Sequence, residues 1–308
     1  MGRPLRNFQA LEIYLVTARC FQRRLLLRPS EETNEVLNGL LARAARLYGV
    51  ELFAFAFASN HMHLVVRAPH GNLPRFMQYL MANISKKVGA LIGWRGAFWE
   101  RRYSAAPILD EAALLDRLRY VFAHGVKEGL VRCCRDWPGL SSLEMMLDGE
   151  PRTVRWYNWT RRSSGNRHRE TRARLDPRWA EPEELRLAVL PIPALQAPES
   201  LKAFLHRAVQ AIEEEGSRQH KKVLGVEGVL RQWPQRRPPP PKQKKPRPPC
   251  HATVAAVRDG YLQRYRDFAA GFHEASRRWR RGDLTASFPD AAIKPFVWPI
   301  QEPPRLAA

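Results

Sequence analysis

Features that would place this chain in a secreted, membrane-spanning or zinc-binding class are scarce in its sequence. Its 308 residues include only four cysteines, and their positions fit neither a zinc-binding spacing nor a disulfide framework: Cys20, Cys133, Cys134 and Cys250. No uninterrupted apolar run approaches the ~20 residues needed to cross a bilayer. The N-terminal segment lacks the apolar core of a secretion signal. We therefore expect reduced thiols and a cytoplasmic protein.

Acidic residues are also few relative to basic ones. The sequence has 30 Asp and Glu residues against 51 Lys and Arg residues, which gives a net charge of +21. Residues 151–308 hold 31 of these basic side chains but only 16 of the acidic ones. A positive excess of this size attracts polyanions, of which nucleic acid is the usual one. A membrane surface is the alternative partner, but no basic helix carries a continuous large-apolar face, so we expect no membrane partner.

The residue pattern predicts an α+β domain over residues 1–150. Predicted strands and helices alternate there, and the first two strands are predicted over residues 12–20 and 23–28. This order predicts one antiparallel sheet with helices packed on a face. Beyond residue 150 the composition changes, and we predict a mostly helical, basic C-terminal extension. It comprises a basic, partly helical segment (151–233), an extended Pro/Lys/Arg-rich linker (234–250) and a C-terminal helical segment (251–308).

Residues 53–66 are predicted to form two strands joined by a tight turn at Ser59-Asn60, because aromatic and β-branched residues flank short turn formers. Side chains alternate along a strand, so His61 and His63 point to the same face. Their Cα atoms would lie roughly 6.5–7 Å apart, close enough for both imidazoles to bind one divalent ion. A solvated polar face of an edge strand is the alternative interpretation.

A further helix is predicted from Asp110 to about His124. Its apolar stripe consists of Leu114, Leu115, Leu118, Val121 and Phe122. Tyr120 falls outside this stripe, and His124 lies four residues on, so their side chains should be neighbours. A tyrosine one turn from an imidazole suits a metal-assisted nucleophile. A surface Tyr–His pair without a chemical role is the alternative.

Taken together, these segments resemble the single-tyrosine HUH endonucleases, and most closely the REP-associated tyrosine transposases of bacteria. The resemblance covers about residues 8–147. It rests on motifs that occur in the family's order: Asn60-His61-Met62-His63, Phe98-Trp99-Glu100-Arg101-Arg102-Tyr103, Tyr120-Val121-Phe122-Ala123-His124-Gly125-Val126, Gly129-Leu130-Val131, Trp137 and Ser141-Ser142. Where the family has an Asn-Pro pair, this chain has His124-Gly125.

The resemblance implies a ferredoxin-like HUH catalytic domain in which Tyr120 is the nucleophile and His61 and His63 hold a divalent metal, magnesium or manganese. The family's side chain at the position of His124 completes the metal shell, and an imidazole is able to do the same. Additional nitrogen ligation would favour manganese or a later transition metal over magnesium.

Five basic residues are candidate DNA contacts. Arg101, Arg102 and Arg117 are plausible phosphate clamps, and Lys86 and Lys87 lie off the buried stripe of a predicted helix. A solvated surface is the alternative for each of them.

The resemblance therefore predicts a metal-dependent single-stranded DNA endonuclease and strand transferase that forms a 5′-phosphotyrosine, acts near hairpin DNA and associates with the bacterial nucleoid. One alternative is a rolling-circle-type replication initiator or relaxase, although those usually carry paired tyrosines. The other is a catalytically inactive, domesticated DNA- or RNA-binding protein, which the departure at His124-Gly125 keeps open. The pattern leaves open whether the protein is a monomer or a dimer.

Overall fold

The computed structural model describes residues 5–161, 175–239 and 248–295. The chain divides into two compact units, one formed by Ala10–Thr253 and one by Met1–Gln9 together with Val254–Ala308. Residues 240–247 of the proline-rich linker lie outside the described residues. The predicted boundaries at residues 150, 233 and 250 stay predictions.

A four-stranded antiparallel sheet organises the first unit. Its strands are β1 (Ile13–Arg19), β2 (Glu51–Ala58), β3 (His61–Arg67) and β4 (Ser104–Ile108), and the helices between and after them are α1 (Glu31–Tyr48), α2 (Leu73–Leu91) and α3 (Glu111–Phe122). The strand order across the sheet is β2-β3-β1-β4. This order, with a helix after β1 and after β3, is the ferredoxin-like arrangement. The predicted α+β class is confirmed.

The segment after β1 was predicted to be a strand over 23–28, and that prediction is wrong. The chain forms a short 3-10 turn at Phe21–Arg23 instead. Gln22 and Arg23 both have a left-handed backbone, with φ of 51° and 59°. Two consecutive left-handed residues turn the chain away from the extended path that pairing with β1 would require.

Helices cover both faces of the sheet, although the sequence pattern indicated only one covered face. On one face, α3 packs through Leu118 and Val121 against Leu15 and Val65 of the sheet. The alternate positions of β1 and β3 are also buried, for example Val16. Because side chains alternate along a strand, that second layer faces the opposite side, where the buried stripes of α1 and α2 lie. Burial on both faces explains the uninterrupted apolar run of β2.

The extension contains a two-stranded sheet that the sequence pattern did not predict. β5 (Arg152–Tyr157) pairs with β6 (Ala180–Leu185) and packs on α1. Glu183 of β6 is buried and accepts hydrogen bonds from Arg43 and Arg46 of α1. Burial acts to raise the pKa of Glu183, but the hydrogen bonds from Arg46 and Arg43 outweigh it and lower that pKa.

Gly39 allows β5 to approach α1 closely. A Cβ atom at this position would lie 2.1 Å from the backbone oxygen of Arg155. We expect Gly39→Ala to lower the free energy of unfolding by about 1–3 kcal/mol, although alanine is the better helix former, because the backbone of β5 must move. Urea denaturation measures this change. Gly89→Ala in α2 is the matched control, since its nearest new contact would be Phe98 at 3.7 Å. Equal effects of the two substitutions would contradict this account.

The remaining helices complete both units. They are α4 (His124–Lys127), α5 (Leu143–Asp148), α6 (Pro198–Gln219) and α7 (Val226–Leu230) in the first unit and α8 (Ala255–Arg280) in the second. Short 3-10 turns lie at Cys134–Asp136, Pro177–Trp179 and Pro193–Leu195. The helices α6 and α8 lie within the segments that were predicted to be partly helical (151–233) and helical (251–308). Within the described ranges, no helix combines the length and the apolar character needed to span a bilayer.

Candidate metal and nucleophile site

Three histidines converge at the end of the sheet face that α3 covers. His61 and His63 project from β3, and His124 opens the single turn of α4 directly after α3. One nitrogen of each imidazole lies within 4.8 Å of the others. The ring centres are 4.9 Å apart for His61 and His63, 4.7 Å for His61 and His124, and 4.4 Å for His63 and His124. The chain thus brings together the three predicted metal ligands.

Neighbouring side chains orient the two strand histidines. Nδ1 of His63 lies 2.8 Å from the hydroxyl oxygen of Thr17. Nδ1 of His61 donates to Oδ1 of Asn60 at 2.6 Å, and the Asn60 amide is itself oriented because its Nδ2 donates to the backbone oxygen of Arg23. The Asn60 oxygen can only accept, so Nδ1 of His61 carries the proton and its Nε2 keeps a lone pair for a cation. The Thr17 hydroxyl can accept from His63 in the same way, which would leave Nε2 of His63 available as a ligand.

Several nitrogens of this cluster are buried and have no hydrogen-bond partner among the residues that the structure describes. They are Nε2 of His63 and both ring nitrogens of His124. A buried polar group without a partner is costly, and a divalent cation bound by the three imidazoles would satisfy these nitrogens. Burial lowers the pKa of His124 to about 4 and the pKa values of His61 and His63 well below the ordinary value. All three imidazoles are therefore neutral near pH 7, the state in which they can bind a metal.

Tyr120 lies directly beside the histidines. Its ring centre is 5.1 Å from that of His63 and 5.1 Å from that of His124. The predicted contact between Tyr120 and His124 is therefore present. The sequence pattern had placed Tyr120 away from the apolar face of its helix, but the ring is half-buried and packs against the core beneath α3.

Cations surround the phenol. The guanidinium carbon of Arg117 and the ammonium nitrogen of Lys127 each lie 5.3 Å from the ring centre of Tyr120. Burial raises the pKa of Tyr120, and the positive charges of Arg117 and Arg19 oppose that rise without cancelling it. The phenol is neutral near pH 7, but the charge that would develop on its oxygen is partly compensated in advance.

The predicted DNA contacts fall in three places. Arg117 lies at the site, against Tyr120. Arg101 and Arg102 lie in the segment that leads into β4. The backbone nitrogen of the preceding residue, Glu100, donates to the backbone oxygen of Arg19 at 2.9 Å, so this segment is fixed at the histidine end of the sheet.

Lys86 and Lys87 are on α2, which packs on the other face of the sheet. The ammonium group of Lys87 lies 4.4 Å from the ring centre of Trp159. DNA contacts by all five residues stay predictions.

Sequence reasoning missed three residues of the site: Thr17, Arg19 and Lys127. Thr17 is opposite His63 and Arg19 is opposite His61 in the pairing of β1 with β3. Only knowledge of that pairing and its register would have identified Thr17 and Arg19. Lys127 is one turn beyond His124, and the continuation of the helical turn past residue 124 would have indicated it.

The sequence of the N-terminal domain matches a known protein family. Residues 9–123 match the sequence profile of the IS200-like transposases. The N-terminal domain is therefore similar in sequence to the IS200-like transposases. The matched range includes His61, His63 and Tyr120 but ends one residue before His124. The histidine cluster of this domain is a candidate divalent-metal site.

Two solved structures of transposases are similar to this chain, and no curated protein matches it. One is a REP-associated tyrosine transposase bound to a REP hairpin, with 18% identity and a TM-score of 0.42 over 48% of this chain and 86% of that one. The other is a putative transposase from Deinococcus radiodurans, with 20% identity and a TM-score of 0.29 over 39% of this chain and 94% of that one.

Proposed function

We propose that this chain is a metal-dependent single-stranded DNA endonuclease and strand transferase that acts through a 5′-phosphotyrosine on Tyr120, at or near hairpin DNA. The observation that carries the proposal is the contact of one phenol with a cluster of three neutral imidazoles, since the rings of His63 and His124 both lie 5.1 Å from that of Tyr120. The Tyr120 hydroxyl and a metal ion bound by the three histidines could therefore contact the same phosphodiester group.

The donor set fits a divalent cation with a preference for nitrogen ligands. His61, His63 and His124 would hold it, each through a ring nitrogen that keeps a lone pair. Three nitrogen donors favour manganese or a later transition metal over magnesium. When bound, such an ion polarises a non-bridging phosphate oxygen and offsets charge in the transition state.

The chain's own residues account for the remaining steps. The Tyr120 oxygen attacks the phosphorus, an O–P bond to tyrosine forms, and the bond from phosphorus to the 3′ oxygen breaks. The phenol loses its proton and the departing 3′ oxygen gains one. Arg117 and Lys127 favour the negative charge on the attacking oxygen. Because the phosphotyrosine conserves the energy of the broken bond, attack by another 3′-hydroxyl rejoins DNA without a nucleotide cofactor.

End-labelled hairpin oligonucleotides test the proposal. The protein is incubated with DNA labelled at either end, with manganese or magnesium, and the products are separated on a denaturing gel. A 5′-phosphotyrosine keeps the 3′-terminal label on the protein and releases the 5′-terminal label. Retention of the 5′-terminal label would contradict the proposed polarity. DNA binding without an adduct in either metal would favour the catalytically inactive binding protein instead.

Thr17 is expected to position His63 for metal binding. Thr17→Val keeps the shape of the side chain but removes the hydroxyl that contacts Nδ1. We expect it to weaken manganese binding by about 10–100-fold, as the loss of a partner of a metal ligand typically does. Isothermal titration calorimetry measures this change. Thr17→Ser, which keeps the hydroxyl, should bind manganese like the parent, and equal losses in both variants would contradict a positioning role.

A further inference from the structure

Three arginines close to the histidine cluster lie outside the chemistry described above. Arg23, Arg24 and Arg28 follow β1 in the loop that precedes α1. No carboxylate lies within ion-pair distance of these guanidinium groups in the described part of the chain. In addition, Nε of Arg28 is buried and has no hydrogen-bond partner within the described ranges. We call these residues the arginine row; it carries three uncompensated positive charges.

The backbone of this loop is held in an unfavourable conformation. Gln22 and Arg23 adopt φ of 51° and 59°, a region that side chains other than glycine seldom occupy. Hydrogen bonds to the β2–β3 turn maintain it, since the Leu27 nitrogen donates to the Ser59 oxygen at 2.8 Å and the Asn60 amide donates to the Arg23 oxygen at 3.2 Å. Such conformations occur mainly where function requires a side chain in a particular place.

The arginine row begins next to the histidine cluster. The Asn60 amide that binds the Arg23 oxygen also accepts from His61, so one side chain links the loop to a predicted metal ligand. An indole also lies along the row, since Trp94 has its ring centre 5.3 Å from the guanidinium of Arg24. Guanidinium groups beside an aromatic ring are the elements of a single-strand binding path.

Neutral oxygens occupy the arginine row in this structure. The backbone oxygens of Leu230, Gln235 and Pro239 accept from Nη1 of Arg28, Arg24 and Arg23 in that order, and the last of these hydrogen bonds is 2.9 Å long. Residues 230–239 therefore run antiparallel to the loop. A phosphate oxygen is a stronger acceptor for a guanidinium group than a peptide oxygen is, because the hydrogen bond is then charge-assisted on both sides.

We propose that the arginine row binds the phosphate backbone of the single-stranded DNA that leads to Tyr120, and that residues 230–239 leave these guanidinium groups when DNA binds. The inference rests on the proposed function, since it takes single-stranded DNA as the ligand. It adds a DNA-binding site outside the region from Arg101 to Arg117. It also assigns a role to residues 230–239, which cover this site in the absence of DNA.

Salt-dependent binding tests the site. The full-length Tyr120→Phe protein, which cannot form the adduct, is compared with the same protein carrying Arg23→Gln, Arg24→Gln and Arg28→Gln. Each phosphate contact on single-stranded DNA contributes about 0.7 to the slope of log Kd against log salt concentration. We therefore expect the slope to fall by about 2 in the triple variant and by about 0.7 in each single variant.

A second triple variant serves as the control for net charge. Arg135→Gln, Arg152→Gln and Arg186→Gln remove three exposed arginines that already pair with carboxylates. We expect its slope to change by much less. An unchanged slope in the first triple variant, or equal slopes in both, would overturn the inference while leaving the proposed chemistry intact. Absence of DNA binding by the Tyr120→Phe protein itself would overturn both.

Hydrogen–deuterium exchange tests the displacement of residues 230–239. The Arg236 nitrogen donates to the Trp233 oxygen at 2.9 Å within this segment. Addition of single-stranded oligonucleotide should accelerate exchange at Arg236 and its neighbours if the segment leaves the arginine row. Unchanged or slower exchange there would show that the segment stays in place, and would overturn the displacement.

Discussion

Tyr120→Phe is expected to abolish the covalent protein–DNA adduct while leaving DNA binding intact. The substitution removes the hydroxyl oxygen and keeps the ring that packs between His63, His124 and the core beneath α3. Loss of a nucleophile typically reduces turnover on the order of 10³-fold or more, so the adduct should fall below detection on a denaturing gel. Binding, measured by fluorescence anisotropy with a hairpin oligonucleotide, should change little.

Tyr79→Phe is the matched control for Tyr120→Phe. Tyr79 is on α2, where its ring packs 5.8 Å from that of Tyr48 on the other side of the sheet. This variant should form the adduct at the parental rate. An adduct that persists in Tyr120→Phe would show that the nucleophile is a residue other than Tyr120, and the other seven tyrosines of the chain would be the first candidates. Loss of the adduct in both variants would point to a general loss of structure.

Local sequence patterns were sufficient to predict the parts of the fold that are specified within one segment. The turn at Ser59-Asn60 follows from short polar residues between apolar runs, and the start of α3 follows from Asp110, whose side chain accepts from the Ala113 nitrogen. The predicted strand over residues 23–28 failed because left-handed backbone at Gln22 and Arg23 has no signal in residue type. Hydrogen bonds from a distant turn impose it.

The extension was harder to predict for a similar reason. β5 and β6 are separated in sequence by more than 20 residues, and their pairing depends on packing against α1. Neither strand alternates polar and apolar residues in a way that a single segment reveals. The close approach at Gly39 and the buried contact of Glu183 with α1 exist only once both elements have come together.

The site was predictable from residue types, and its supporting contacts were not. Spacing alone placed His61 and His63 on one face and Tyr120 next to His124. That these two pairs meet depends on α3 covering the correct face of the sheet, which the resemblance to a family supplied and the periodicity did not. The partner of His63, Thr17, could be found only from the register of β1 against β3.

His124→Ala is expected to remove metal-induced stabilisation. In the parental protein, manganese at 100 times its Kd should raise the free energy of unfolding by about 2.7 kcal/mol, because the ion binds the folded state alone. Loss of one of three ligands should weaken binding by more than about 100-fold, so the same concentration should stabilise the variant by less than about 0.4 kcal/mol. Thermal unfolding with and without manganese measures both values.

This expectation rests on the burial and the missing hydrogen bonds of the His124 imidazole. Both of its ring nitrogens are buried and lack a hydrogen-bond partner in the described part of the chain. Such an arrangement costs stability unless another group binds there. His206→Ala, which removes an exposed histidine of α6, is the control and should keep the full response to manganese.

His124→Asn introduces the first residue of the Asn-Pro pair that the resembled family has at this position. Because an amide oxygen replaces a nitrogen donor, this variant should bind manganese more weakly than the parent but lose less affinity for magnesium. If His124→Ala responds to manganese like the parent, His124 is a packing residue and the cation, if one binds, depends on His61 and His63 alone.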